Sequence, residues 1–282
     1  MRIGVNVPNF GHGTDPGMVR DWAQTVEGLG FDLLMVSDHV AVTPDVAEQY
    51  PAPFYEPFTT LSWLAGITHR VRLGTTVLIL PYRHPLLVAR MAANLHQLSG
   101  GRLVLGVGVG WARQEFAALG VPFDRRGKLT DEALRAVRAA WEDEEDYGHG
   151  PIPIWVGGNS DAALRRAVRF GEAWHPLRFT LPWLREALER LATAAAGRGG
   201  PVPGLAPRIA LRLTPSPSGG PGRLAGEGTI EQITGDLEEL RRLGAGTVVL
   251  DPFGGDLEEI HHPQQAWRAL AAVAAALPTR SE

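Results

Sequence analysis

Cysteine is absent from the 282-residue chain. That excludes disulfides, thiolate nucleophiles and cysteine-ligated zinc or iron–sulfur sites together. Lysine is nearly absent as well: Lys128 is the only one, and arginine supplies the rest of the 27 basic residues. Neither sign of charge is in excess. A formal charge of −4 and a pI near 6.1 leave no electrostatic footprint for nucleic acid or a membrane surface. No apolar run approaches the roughly 20 residues that cross a bilayer. Met1 leads directly into strand-like Arg2-Ile3-Gly4-Val5-Asn6-Val7, without the apolar core of a signal peptide, so a cytoplasmic location is expected. Phosphate loops of the Gly-Lys-Ser/Thr type are missing. The glycine run Gly106 to Gly110 lacks the dinucleotide spacing and follows the fourth strand pattern instead of the first. Ser37 has no nucleophile-elbow context, which leaves acyl transfer unsupported. His149, His261 and His262 lack carboxylates at ligand spacing, and no metal site is expected.

What is present is regular alternation. Hydrophobic residues make up 44% and charged residues 21%, an ordinary globular balance. Short β-branched runs predict strands at 2–7, 32–37, 71–80, 102–109, 153–157, 172–175, 207–213 and 246–250, with amphipathic helical patterns between them. Eight strands, each followed by a helix, fit one closed α/β barrel over residues 1–282, a (β/α)₈ or TIM barrel. Helix punctuation agrees. Asp15-Pro16 opens a helix that Gly30 closes, Pro85 opens another that ends at Gly100-Gly101, and Thr229 with Gln232 forms a capping box. Residues 215–228, rich in Gly and Pro, read as a long loop on the functional face, either a mobile lid or an unstructured connection.

Barrel chemistry gathers at the C-terminal ends of the strands. Asp38-His39 stands at the second such end. A histidine there exchanges protons near neutral pH and hydrogen-bonds a ring heteroatom; a structural histidine capping a carbonyl reads equally well from the local sequence. Gly157-Gly158-Asn159-Ser160 lies between a strand and a helix start. Its backbone N–H groups suit an anionic phosphate, and they suit an ordinary tight turn with an N-cap at least as well. The glycines at 106, 108 and 110 mark a close backbone approach, by a ligand or by crowding at the rim.

Several segments together resemble the bacterial luciferase-like superfamily. They are Ser37-Asp38-His39-Val40, Leu73-Gly74-Thr75-Thr76-Val77 with Tyr82-Arg83-His84-Pro85, Gly100 through Gly108, Glu115 through Phe123 leading into Arg125-Arg126-Gly127, and Pro153 through Gly158 followed by Ala163 to Ala167. The resemblance spans nearly the whole chain in order. It implies a barrel that binds coenzyme F420 or, alternatively, FMN at its C-terminal mouth, with the F420-dependent branch the nearer one. It implies that Asp38 and His39 lie beside the deazaflavin ring, with His39 catalytic. Thr76-Val77 would occupy a strand-three bulge that carries a non-prolyl cis peptide. Gly108, Val109, Gly110, Trp111, Gly157, Gly158, Asn159 and Ser160 would flank the ribityl and phosphate part. It further implies a small-molecule substrate, a homodimer through barrel helices and a partner reductase, for flavin or for F420.

Three departures stand out against the resemblance. Trp111 replaces the glutamate that sugar-phosphate dehydrogenases of the superfamily carry after the strand-four glycines, which speaks against that substrate. Val109 replaces a phosphate-binding arginine of the FMN enzymes, which leans toward F420. The connection 142–150 is short by some tens of residues, which implies a more open mouth. The functions carried forward are an F420-dependent oxidoreductase, an FMN monooxygenase fed with reduced flavin, and a non-catalytic cofactor-binding member.

Overall fold

A computed structural model describes residues 1–148, 150–255 and 258–277; His149 lies outside them. Eight parallel strands form the ring: β1 (Arg2–Asn6), β2 (Leu33–Val36), β3 (Arg72–Thr75, resuming as Leu78–Ile79), β4 (Leu103–Gly108), β5 (Ile154–Gly157), β6 (Ala173–His175), β7 (Gly204–Leu205 and Arg208–Ala210) and β8 (Thr247–Asp251). Each pairs in parallel with its sequence neighbour, and β1 returns to β8 through Arg2 opposite Thr247. All eight expected strands are present, including the short β6.

Two strands are irregular. β3 leaves the ladder between Gly74, opposite Val104, and Leu78, opposite Val107. Four residue steps on one side thus face three on the other, which is a one-residue bulge. The Thr76–Val77 peptide within it is cis. β7 breaks at Pro207, which has no N–H to give. Its first piece pairs β6 and its second pairs β8. The hydrogen bonds Ala206 N to Trp174 O, Arg208 N to Pro176 O and Gly246 N to Leu205 O carry the ring across the break. Residues 212–213, expected as the end of this strand, turn away and pair Glu227–Gly228.

Side chains alternate along the strands, and the ring sorts them into two cores. One face packs the enclosing helices. The other fills the barrel: Leu33, Met35, Val104, Trp155, Ala173, Ala206 and Val249 form a separate buried cluster. Small residues on β6 and β7 leave room for Trp155. Helix ends follow their signals. Asp15 caps Pro16–Gly28 through Met18 N, and Gly30 at φ +80° completes a Schellman turn with Phe31 N on Val26 O.

The loop 215–228 is tied down along its length. Gln232 holds both backbone groups of Ser218, and Asp236 binds the Arg223 guanidinium and Gly226 N. Of the connection 142–150, the described residues 142–148 lie at the opposite end of the barrel from the strand C-termini, where Gln97 binds Tyr147 O and Gly148 O and Arg90 binds Asp146. A helix that starts at the mouth ends at the far side, so this segment shapes the far face, and the opened mouth expected from it does not follow.

Candidate active site at the barrel mouth

Alternation continues one layer above the apolar filling, and that layer is polar. Asn6, Thr76, His175, Arg208 and Asp251 all point inward and are nearly water-free. Arg208 donates through Nε and Nη2 to Asp251 Oδ2 at 2.8 and 2.5 Å, and through Nη1 to Thr76 O at 3.0 Å. Asn6 Nδ2 donates to Asp251 Oδ1 at 3.0 Å. His175 Nδ1 donates to Ala206 O, and its Nε2 lies 2.9 Å from the Thr76 hydroxyl. Burial pushes the His175 pKa down to about 4, and the neighbouring Arg208 charge works in the same direction. The ring is therefore neutral at pH 7. One acceptor in this layer is unused: Asn6 Oδ1 is buried without a hydrogen-bond partner. Rotating the amide would only turn that oxygen against the Asp251 carboxylate, so the assignment is secure.

Alternation also separates Asp38 from His39. The Asp38 side chain points to the helix side, where both carboxylate oxygens accept from Arg83 at 2.7 and 2.8 Å and Ile79 N adds a third bond. The sequence placed these two residues together at one ring; the structure commits Asp38 to bracing the strand-three segment. His39 points to the mouth. Its ring is flanked by Tyr50, Phe54 and Trp111 at centroid distances of 5.2, 5.5 and 5.7 Å. Trp111 remains 43% exposed. His39 Nδ1 lies 2.6 Å from Glu115 Oε2. Its Nε2 has no partner among the described residues.

The rim glycines answer to the chain itself. A Cβ on Gly108 would lie 2.4 Å from Val77 Cγ2, and one on Gly157 would lie 2.7 Å from Val77 Cγ1. Gly106 is tighter, at 1.9 Å from Thr75 O. The bulge therefore seats Val77 on two glycines and leaves it half-buried at the mouth. Val109 is half-buried beside it, and Gly110 at φ +76° packs against Ile79 and Phe116. After β5, Asn159 clasps Leu177 through both backbone groups and Ser160 caps the helix Asp161–Phe170. Those two side chains make the turn, which leaves the backbone around Gly158 as the polar surface there.

The sequence reading gave no functional role to two residues of this centre, Arg208 and Glu115, although Glu115 opens one of the segments that carry the resemblance. Arg208 was findable in principle, since it shares its inward phase with Ala206 on a strand opposite Asp251. Glu115 gave no local signal, because acidic residues are ordinary in a first helical turn.

A family profile described as luciferase-like monooxygenase matches residues 1–218. The chain belongs to that family. Among the relatives of this luciferase-like chain, an uncharacterised Mycobacterium tuberculosis protein is 34% identical over 180 residues, 54% of this chain and 62% of that protein. The F420-dependent glucose-6-phosphate dehydrogenase of Kineococcus radiotolerans is 31% identical over 180 residues, 56% of this chain and 52% of that protein. The chain thus spans between about half and three-fifths of these relatives' length. Two solved structures superpose over nearly its whole extent. The oxygenating constituent of a Pseudomonas putida Baeyer–Villiger monooxygenase in complex with FMN has a TM-score of 0.75 at 17% identity, covering 97% of each chain. An F420-dependent secondary alcohol dehydrogenase with an F420–acetone adduct has a TM-score of 0.72 at 17% identity, covering 95% of this chain and 98% of that one. At such identity the likeness establishes the luciferase-like barrel fold alone. Both deazaflavin and flavin enzymes therefore stand among the neighbours. Among the described residues no helix is long and apolar enough to cross a membrane, and no cluster of three or more metal-ligating side chains occurs.

Proposed function

We propose that the barrel mouth binds coenzyme F420 and serves hydride transfer between its C5 carbon and a small organic substrate, with His39 as the acid–base group. The observation that carries this is His39 Nε2: a bare ring nitrogen at the end of β2, walled by aromatic rings and held from behind by a buried carboxylate. The mouth suits a flat ring system with amide-type N–H donors. Val77 offers an apolar ledge beside it, and Asn6 Oδ1 is a buried acceptor awaiting a donor. The deazaflavin supplies the hydride chemistry when bound. The chain's part is to hold that ring against the bulge, keep water from His39 and move one proton at Nε2. Val109 in place of a phosphate-binding arginine, together with the F420-dependent relative, favours the deazaflavin over FMN.

The test is a parallel titration of the purified protein with oxidised F420 and FMN, followed by fluorescence quenching. F420 is expected to bind at least tenfold more tightly. Tighter FMN binding would move the protein to the flavin monooxygenases, and binding of neither would overturn the reading. In the same assay His39→Gln is expected to keep F420 affinity within a few-fold while turnover falls about 10²-fold or more.

A further inference from the structure

Glu115 is a carboxylate that water does not reach, with no arginine or lysine paired to it among the described residues. It sits in the first turn of Arg113–Ala118, just beyond the glycine rim, and its side chain is 0% exposed. Four hydrogens converge on it. Val40 N and Ala41 N donate to Oε1 at 2.6 and 3.1 Å, while the Tyr82 hydroxyl donates to Oε2 at 2.9 Å beside His39 Nδ1 at 2.6 Å. Burial alone would raise its pKa. His39 and the two backbone donors outweigh that and hold it below the ordinary glutamate value. Tyr82 cannot surrender its proton to the group, since burial and the Glu115 charge raise the phenol far above its ordinary range.

An ionised carboxylate only accepts, so every partner must bring the hydrogen. The hydrogen between His39 and Glu115 therefore belongs to Nδ1, and in the neutral ring Nε2 is the nitrogen without one. Turning the ring over would set Cδ2 in place of Nδ1 against Glu115 and lose that bond, and Tyr50, Phe54 and Trp111 pack around the ring as it stands.

We infer that Glu115 is a positioning residue for the reaction: it fixes the Nδ1–H form of His39, aims Nε2 at the substrate and balances the imidazolium that forms there. This rests on the hydride-transfer reading above. For an alcohol oxidised to a carbonyl, bound F420 would supply the acceptor for the C–H hydrogen and its electron pair. The O–H proton goes to Nε2, and the electrons of that O–H bond form the C=O double bond. The imidazolium then faces Glu115 as an ion pair. Carbonyl reduction runs the same steps backward, with Nε2–H giving its proton to the oxygen.

Glu115→Gln tests this with almost no change of shape. The amide oxygen still accepts from Val40 and Ala41, but the NH₂ group now confronts His39 Nδ1 and forces the hydrogen onto Nε2. Two readouts are needed. In the cofactor-free protein, ¹⁵N NMR of the His39 ring is expected to show Nδ1–H in the wild type and Nε2–H in the variant. In the F420-loaded enzyme, kcat is expected to fall about 10²- to 10⁴-fold with F420 affinity and KM within threefold. An unprotonated Nδ1 in the wild type overturns the inference even if the variant fails to fold. So does a variant with unchanged kcat, or one whose loss lies wholly in KM. If the wild type shows Nδ1–H but no F420 turnover, the reaction reading fails while the tautomer assignment stands.

Discussion

At the residue scale, His175 ties acidity to stability. Its pKa is about 4 in the folded protein against 6.5 for a free side chain. Above pH 6.5 both states are neutral there, and the native state has its full stability. As pH falls from 6.5 toward 4, only the unfolded chain takes up the proton, and stability drops by about 3 kcal/mol from this group. Below that the loss levels off. Urea unfolding of the wild type at pH 7 and pH 4.5, beside His175→Gln, measures it: the variant is expected to lack this part of the decline. His39 at the second strand end, and His175 at the close of the run 172–175, were both legible in the sequence. Their different trades were not. One binds a glutamate 76 positions away and the other a carbonyl 31 positions away, and separations of that size leave no mark on local patterns.

At the scale of elements, the β3 bulge dictates the composition of β4 and β5. Gly106→Ala sets a methyl against the carbonyl of Thr75, where only backbone movement relieves it. Gly108→Ala meets one methyl of Val77 instead. Each is expected to cost roughly 1–3 kcal/mol, the first more than the second. A double-mutant cycle separates them: adding Val77→Ala should recover much of the loss in Gly108→Ala and none in Gly106→Ala, read as denaturation midpoints. The strand itself was legible as 71–80 from its β-branched run, whereas its interruption at Thr76-Val77 was legible through the family resemblance alone, because a bulge conserves hydrophobic character while shifting register. β7 was misplaced for a related reason. Arg208-Ile209-Ala210 carries the strand pattern, while Gly204 and Leu205 before the proline carry almost none, and residues 212–213 alternate correctly yet pair elsewhere.

At the scale of the whole molecule, Arg208 links β7, β8 and β3 across the inside of the ring. Arg208→Met would leave Asp251 buried with only Asn6 and Phe253 N as donors. An uncompensated charge of that kind is expected to cost about 3–5 kcal/mol, measured by chemical denaturation. Replacing both partners, as Arg208→Met with Asp251→Leu, should return part of the loss. The overall architecture was legible because it follows from a count: eight short buried runs alternating with eight amphipathic ones leave few closed arrangements.

The broken seventh strand makes the barrel a hoop with an expansion joint. Along most of the circumference, tension is shared among backbone bonds. At Ala206-Pro207 two side chains join them, with His175 Nδ1 on Ala206 O at one flank and the Arg208 guanidinium on Asp251 at the other. Opening the joint would expose His175 and return its pKa toward 6.5, so acid favours the opened joint. Mild acidification should loosen the ring there first, so amide exchange would reach Ala206 and Arg208 before the ladder of β1, β2 and β8 yields.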